Sequence, residues 1–232
     1  MRHGDNGNIR AETYFERIAP VRISFLHTME SNEAVFGLAA SKAGWSPDQI
    51  RHVVRADLRQ AMEQQAPSSG GAHKLVHGVL RELASDADAV IVTCATLGPA
   101  VDTMAASPCR FIRADAALAE AASRSGKKLA VLCAVESSIA PNRTLFERYA
   151  ANTGASVTVQ LVPGAWALYQ EGKHAACMST CAQAAGQAHA DGYDVVIYAH
   201  PWMAGAEGLA GNECRPMHGA KAALDAVRTA GA

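Results

Sequence analysis

The segment from residue 88 to residue 99 reads Asp88-Ala89-Val90-Ile91-Val92-Thr93-Cys94-Ala95-Thr96-Leu97-Gly98-Pro99. Its run of apolar, β-branched residues predicts a buried strand, and the small and polar residues that follow predict a tight turn into a helix. In a parallel α/β sheet such a turn presents free backbone N–H groups and a helix dipole, which favour an anion or a thiolate. Cys94 is therefore a candidate catalytic residue, with a buried structural cysteine as the alternative.

The chain repeats this design 106 residues later (194 − 88). The second copy reads Asp194-Val195-Val196-Ile197-Tyr198-Ala199-His200-Pro201-Trp202-Met203-Ala204-Gly205, so that Cys94 falls on His200. The same offset places Glu30-Ser31 on Glu136-Ser137, and His52-Val53-Val54 on Thr158-Val159-Gln160. Three segments in one register predict a duplicated α/β unit, in which Cys94 and His200 face each other across the seam.

Composition argues against several classes of protein. The 232 residues carry a formal net charge of −1, with 49% hydrophobic and 19% charged residues. This balance leaves no basic surplus for a nucleic acid, and no apolar run approaches the roughly 20 residues that span a bilayer. The polar start shows no signal core, so we expect a cytoplasmic protein whose six cysteines remain thiols. His174, Cys177 and Cys181 share one helix face without a fourth ligand, so we expect no metal.

Alternating strands and helices predict mainly parallel sheets in two pseudo-symmetric three-layer α/β domains, with an active site in the cleft between them. The first half is expected to span residues 21–112 and the second residues 113–215. The last helix, within residues 216–232, is expected to pack back on the first half. Residues 1–20 are expected to form a loosely held leader, and residues 67–71 a candidate mobile flap.

Three further segments are predicted beside the candidate cleft or directly before one of its strands. A helix is predicted over residues 99–106, after the Cys94 turn. One long helix is predicted from about residue 171 to residue 190, leading into the strand of His200. Residues 136–138 are predicted to form a functional loop.

Four motifs follow one another along the chain. They are Val92-Thr93-Cys94-Ala95-Thr96, Arg113-Ala114-Asp115, Leu132-Cys133-Ala134-Val135-Glu136-Ser137-Ser138 and Tyr198-Ala199-His200-Pro201-Trp202. Together they resemble the aspartate/glutamate/hydantoin racemase superfamily over about residues 21–215. The resemblance implies two similar α/β domains that meet at a cleft, one catalytic cysteine from each domain, and no cofactor. One cysteine takes a proton from a carbon beside a carboxylate or carbonyl, and the other supplies one from the opposite face.

The resemblance also implies which residues form the site. Cys94 matches the first catalytic cysteine, and His200 stands where the second is found. Residues that are expected to contact the substrate come from the strand-end turns of both halves: His27, Glu30, Ser31, Ala95, Thr96, Ser137, Ser138 and Trp202.

The second half departs from the family pattern at three consecutive positions. His200 replaces the cysteine, Pro201 removes one N–H, and Trp202 replaces the hydroxyl residue that Thr96 represents. A histidine can carry a proton near neutral pH, and an imidazolium would stabilise a Cys94 thiolate. Alternatively, the indole fills half of the cleft and His200 is a packed residue.

These observations predict a cofactor-independent isomerase or racemase that acts on a small carboxylic acid or amino-acid derivative by thiol-based proton transfer at the α carbon. One alternative is a lyase that uses a single thiol to decarboxylate a malonate-like acid. Another is a binding protein for small acids that has no catalytic activity. The expected partner is a small-molecule carboxylate, without nucleic acid or membrane, and a homo-oligomer is left open.

Overall fold

The computed structural model describes residues 21–64 and 70–229, and within these ranges the chain forms two four-stranded parallel sheets. The first sheet has the order β2-β1-β3-β4 and the second the order β6-β5-β7-β8. Their strands are β1 (Ile23–His27), β2 (Ile50–Val54), β3 (Ala89–Val92), β4 (Arg110–Arg113), β5 (Lys128–Cys133), β6 (Ser156–Leu161), β7 (Val195–Tyr198) and β8 (Met217–His218). The α/β fold class predicted from the sequence is confirmed.

Helices connect the strands and cover the sheets. The α-helices are α1 (Ser31–Lys42), α2 (Ala56–Gln64), α3 (Gly71–Leu83), α4 (Gly98–Asp102), α5 (Ala114–Ser125), α6 (Ile139–Ala150), α7 (Ala165–Gln170), α8 (His174–Ala190) and α9 (Gly219–Thr229). Short 3₁₀ helices span Pro47–Gln49, Ala95–Leu97, Glu136–Ser138 and Pro201–Leu209. No helix of the described residues is long and apolar enough to cross a membrane.

The central strands of each sheet are buried almost completely. Every residue of β1, β3 and β7 is buried, and in β5 only Lys128 is exposed. Strands that are covered by helices on both faces lose water from both faces, which explains their continuous apolar sequences.

Each half uses one aspartate to hold the start of its first strand. The Asp88 carboxylate accepts a hydrogen bond from the Arg22 backbone N–H at 2.7 Å. The Asp194 carboxylate accepts bonds from the backbone N–H groups of Lys127 and Lys128 at 2.8 and 2.9 Å, which lower its pKa. The two aspartates of the repeat therefore have a structural role, because they set the alignment of the two central strands.

The 106-residue repeat holds for the central strands but not for the edge strands. Ile23 pairs with Ala89, and Leu129 pairs with Val195, so both central pairs follow the same offset. At the edge, Phe25 pairs with His52 whereas Val131 pairs with Val159. His52 therefore corresponds to Val159, and the predicted match to Thr158 is wrong by one residue. The second half has one more residue between these two strands.

One predicted helix starts later than expected, and two other local predictions need correction. The helix predicted from about residue 171 to residue 190 is α8, which begins at His174 because the chain turns at Gly172 with a φ of 71°. A separate short helix, α7, precedes this turn. The helix predicted over residues 99–106 begins earlier and ends at Asp102, and a 3₁₀ turn precedes it. Residues Glu136–Ser138 form a 3₁₀ helix where a loop was predicted.

The last helix of each sheet packs on the other half. Buried residues of α9, such as Leu224, join the core around Phe25 and Phe36 of the first half. Leu118 of α5 joins the core around Leu129 of the second half. This exchange ties the halves together. The predicted leader and candidate flap lie outside the described residues, the latter except for its last two glycines.

Gly126→Ala is expected to destabilise the protein. A Cβ on Gly126 would lie 2.7 Å from the Asp194 Cβ and 2.8 Å from the Val195 Cγ2, so the start of β7 must shift. We expect the free energy of unfolding in urea to fall by about 1–3 kcal/mol. Gly78→Ala is the matched control: its Cβ meets nothing within 4 Å in α3, and helix propensity should stabilise that variant by about 0.5–1 kcal/mol. Equal effects of the two substitutions would contradict the packing argument.

Candidate active site

Cys94 and His200 occupy equivalent strand ends. Cys94 follows β3 and precedes the 3₁₀ helix Ala95–Leu97, with φ −113° and ψ 117°. His200 follows β7 and precedes the 3₁₀ helix Pro201–Leu209, with φ −99° and ψ 132°. These similar backbone angles direct the two side chains in equivalent ways from the two halves. The first N–H groups of such helices have no partner within the helix, although Pro201 has no N–H to offer.

Cys94 is the one cysteine of the chain that is not buried. Burial raises the pKa of each of the other five thiols, which are Cys109, Cys133, Cys177, Cys181 and Cys214. The pKa of Cys181 is raised to about 12. A buried thiol with a raised pKa is a poor nucleophile and a poor proton carrier. The geometry therefore leaves Cys94 as the thiol that is available for chemistry.

The helix face that carries Cys177 and Cys181 has a packing role in the structure. The Cys177 thiol donates a hydrogen bond to the Ala165 carbonyl at 3.2 Å, and Cys181 is fully buried beside it. Within residues 21–64 and 70–229, no group of three or more histidine, cysteine or acidic side chains could hold a metal ion.

Arg59 on α2 acts on both candidate catalytic residues. Its guanidinium is held by Glu63 at 2.7 Å, which raises the pKa of Arg59, and the charge of Cys94 adds to that rise. The same guanidinium lowers the pKa of His200. A cation thus lies within electrostatic range of both strand ends. Sequence reasoning missed Arg59, because nothing in the spacing of a short polar helix tells which of its charges faces the cleft.

His200 is a stacked and neutral histidine. Burial, followed by the charge of Arg59, lowers its pKa to about 4. Its ring lies parallel to that of Trp202, with 5.6 Å between centroids and 8° between planes, and Trp202 in turn stacks on Tyr169 at 4.4 Å. The resting state at neutral pH is therefore an uncharged imidazole, and the positive charge near Cys94 comes from Arg59.

Ser138 defines which nitrogen of His200 carries the proton. The Ser138 hydroxyl donates to the Val135 carbonyl at 2.5 Å, and its oxygen lies 3.4 Å from His200 Nε2. Because the hydroxyl hydrogen is already used, Nε2 is the donor of this long bond. Nδ1 of His200 is then the nitrogen that can accept a proton.

Six of the residues that are expected to contact the substrate lie at the carboxyl ends of the two central strand pairs. Thr96 and Ser138 are half-buried, and the other four are exposed: Glu30, Ser31, Ala95 and Ser137. Glu30 and Ser31 begin α1 beside the end of β1, which pairs with the strand that carries Cys94. The fold thus places these residues at the strand ends of the same sheet edges as Cys94 and His200, and Ser138 Oγ lies 3.4 Å from His200 Nε2.

His27 lies beneath this surface. It is fully buried, with Nδ1 2.9 Å from the Thr93 hydroxyl and Nε2 2.8 Å from His52 Nδ1. Thr93 donates to the Leu26 carbonyl at 3.2 Å, so His27 donates to Thr93 and accepts from His52. Both ring nitrogens are occupied, and burial, together with the nearby His52, lowers the pKa of His27 to about 3. In this arrangement His27 supports the strand end next to Cys94.

No protein-family model matches the chain, and no curated protein matches it in a sequence search. Solved structures do. An aspartate racemase from Picrophilus torridus has a TM-score of 0.69 at 13% identity, with 91% of this chain and 94% of that chain covered. This chain has the fold of that racemase. The fold-level resemblance inferred from the motifs is thereby confirmed.

Two further solved structures share the fold. An allantoin racemase from Klebsiella pneumoniae has a TM-score of 0.58 at 16% identity, covering 90% of this chain and 87% of that chain. A glutamate racemase from Bacillus anthracis has a TM-score of 0.59 at 15% identity, covering 90% and 81%. At such identities the likeness establishes the fold, and the chemistry must be argued from the residues.

The buried histidines should make the protein less stable in acid. The pKa of His27 is about 3 in the folded state and near 6.5 when unfolded, so the unfolded chain binds more protons between these values. Stability should therefore fall as pH drops below 6.5, by up to about 1.4 kcal/mol per pH unit for each such histidine. The double variant His27→Cys/His52→Val, which carries the residues of the second half, should show a shallower slope in urea unfolding between pH 6 and pH 4. Equal slopes would contradict this assignment.

Cys94 should be the first thiol to react with iodoacetamide in the native protein. The other five thiols must wait for local opening, and an opening that costs about 3 kcal/mol slows a reaction roughly 100-fold. Peptide mapping by mass spectrometry after short exposures should find the label on Cys94. Labelling of Cys133 or Cys177 at the same rate would contradict the burial pattern.

Proposed function

We propose that the protein is a cofactor-independent isomerase of the racemase type, which transfers protons at the α carbon of a small carboxylic acid or amino-acid derivative. The observation that carries the proposal is the equivalent placement of Cys94 and His200 at the two central strand ends, with Arg59 acting on both. A thiol and an imidazole that project from opposite halves suit proton transfer on opposite faces of one carbon.

The proton balance follows from the resting states. The neutral imidazole of His200 accepts the α proton at Nδ1, and the thiol of Cys94 donates a proton to the opposite face of the carbon. The products are an imidazolium and a thiolate, and a proton passing between them through solvent restores the enzyme. Arg59 stabilises the thiolate and disfavours the imidazolium, so this charge drives the return of the proton from His200.

The substrate carboxylate belongs on the Cys94 side. The first N–H groups of the helix after Cys94, the Thr96 hydroxyl and the Arg59 guanidinium offer donors and positive charge there. In the second half Pro201 has no N–H, and Trp202 is 6% exposed and stacked on Tyr169. The pocket is therefore asymmetric, with one polar wall and one aromatic wall.

The fold relatives support this reaction class. They are named as aspartate, glutamate and allantoin racemases, and each chain contains the same two-domain arrangement. Their substrates are small molecules with an acidic hydrogen at a stereogenic carbon beside a carbonyl group. Those three compounds are therefore the first probes for this chain.

A lyase is the second candidate, favoured by the low pKa of about 4 at His200 and by its stacking on Trp202. A weak base on one side leaves a single thiol to act. In that reaction the bond between the α carbon and one carboxylate breaks, carbon dioxide leaves with no electrons of the bond, and the Cys94 thiol protonates the resulting carbanion.

Hydrogen exchange at the α carbon tests the proposal. Each enantiomer of aspartate, glutamate and allantoin is incubated in heavy water, and loss of the α-proton signal is followed by NMR. We expect exchange with at least one probe, and Cys94→Ser should slow it by about 10²–10⁴-fold because the proton carrier is lost. His200→Gln should slow exchange in at least one direction, since an amide cannot carry the proton.

Cys214→Ser is the matched control. Its thiol donates to the Ala185 carbonyl at 3.5 Å, a bond that a hydroxyl also makes, so exchange should be unchanged. Full activity of Cys94→Ser would refute thiol chemistry. Carbon dioxide release from methylmalonate without exchange would favour the lyase. Thermal stabilisation by these acids without either reaction would favour a binding protein.

A further inference from the structure

Ser138 is the last residue of the 3₁₀ helix Glu136–Ser138 and directly precedes α6. Its backbone is held on both sides: its N–H donates to the Val135 carbonyl at 3.0 Å, and its carbonyl accepts from Asn142 Nδ2 at 2.8 Å. Asn142 is itself buried. Ser138 therefore has a fixed position at the carboxyl end of the second sheet.

The hydroxyl of Ser138 has no hydrogen left for a ligand. It donates that hydrogen to the Val135 carbonyl at 2.5 Å, and its oxygen lies 3.4 Å from His200 Nε2. Burial raises the pKa of the neighbouring Cys133 and a hydrogen bond with Ser138 opposes that rise, so this thiol stays neutral near pH 7 and accepts hydrogen bonds only weakly. A substrate carboxylate needs a donor, so this hydroxyl is unsuited to hold it.

Trp202 fixes the plane of the His200 ring. The two rings lie within 8° of parallel with 5.6 Å between their centroids, and Trp202 is itself stacked on Tyr169 at 4.4 Å. A half-turn of the imidazole about its Cβ–Cγ bond leaves this plane unchanged. Stacking alone therefore does not distinguish the two ring orientations, and a second contact is needed to select one of them.

Ser138 supplies that contact. In the observed orientation Nε2 of His200 lies next to Ser138 Oγ, whereas a half-turn of the ring would bring Cε1 there and exchange Nδ1 with Cδ2. A ring N–H donates a stronger hydrogen bond to the hydroxyl oxygen than a C–H does. The net strength of a hydrogen bond corresponds to a preference of about two- to tenfold for the observed orientation.

The first half has the same backbone turn but no hydroxyl on it. Asn32 stands 106 residues before Ser138, and its N–H donates to the Met29 carbonyl at 3.2 Å, as that of Ser138 does to Val135. Asn32 Oδ1 is buried without a hydrogen-bond partner among the described residues. The strand end of the first half carries a thiol, which has a single reactive atom, whereas an imidazole has two nitrogens and needs an orientation. The hydroxyl thus occurs in the half that carries the imidazole.

We propose that Ser138 is a positioning residue for His200, which orients the ring so that Nε2 carries the proton and Nδ1 is the base, and that Ser138 does not contact the substrate. Nε2–H donates to Ser138 Oγ both in the imidazole and in the imidazolium that forms when Nδ1 takes up a proton, so the serine need not move during the transfer. The orientation of the ring goes beyond the proposed function, whereas its effect on the rate rests on that function.

Long-range proton–nitrogen NMR on protein with isotope-labelled histidine tests the orientation. His200 is assigned from the signals that disappear in His200→Gln. We expect the pattern of the Nε2–H tautomer in the wild type near pH 7. In Ser138→Ala the preference for this tautomer should fall about two- to tenfold, and Ser138→Thr should restore it because it returns the hydroxyl. A wild-type pattern in Ser138→Ala would overturn the proposal.

Hydrogen exchange at the α carbon of a reactive probe separates positioning from substrate binding. Ser138→Ala should lower kcat about two- to tenfold and leave KM within about twofold, since the base is misoriented while the substrate contacts remain. Ser138→Thr should restore kcat. A rise in KM with unchanged kcat would make Ser138 a substrate contact and would likewise overturn the proposal.

Ser123→Ala is the matched control. Ser123 is buried in α5 and donates to the Glu120 carbonyl three residues earlier at 2.9 Å, the same kind of bond that Ser138 makes to Val135. Its loss should leave the His200 signals and kcat unchanged. Equal changes in both variants would assign the effect to lost packing and refute a specific contact. Failure of the wild type to exchange any probe would refute the proposed function, and the NMR pattern alone would then decide the role of Ser138.

Discussion

The arrangement of the candidate site depends on how the two central strands of each half are aligned. Asp88 and Asp194 each fix that alignment by accepting backbone hydrogen bonds from the start of the neighbouring strand. Six residues after each aspartate the chain reaches Cys94 or His200. Strands rise by a constant length per residue, so strands that are aligned at their first residues are also aligned at their last residues. Cys94 and His200 therefore stand at equivalent strand ends in the two halves.

The two halves share this strand alignment but have different side chains around Cys94 and His200. Beneath Cys94 lies the hydrogen-bonded chain of His52, His27 and Thr93. At the corresponding positions the second half has Val159, Cys133 and Ala199, which cannot form such a chain. Beside His200 it has instead a stack of aromatic rings. The two halves thus share equivalent backbone positions, whereas the residues beneath Cys94 are polar and those beside His200 are aromatic.

Burial and the charge of Arg59 both act on the residues of the candidate site. Burial alone would make both His200 and the inner thiols hard to ionise. Arg59 adds a positive charge that further lowers the pKa of His200, and it also interacts electrostatically with Cys94. A single cation therefore lies near both residues, and on one side it helps to keep the imidazole of His200 neutral.

The sequence by itself determined the parallel α/β halves and the equivalence of Cys94 and His200, because strand periodicity and a constant repeat offset are local properties. It did not determine the one-residue shift at His52, since register at an edge strand depends on the length of a distant connection. Only the tertiary structure decided that His27 is buried in a hydrogen-bonded network and that Arg59 lies within electrostatic range of both Cys94 and His200. Burial, charge proximity and packed volume arise between segments that are remote in sequence, so no local pattern encodes them.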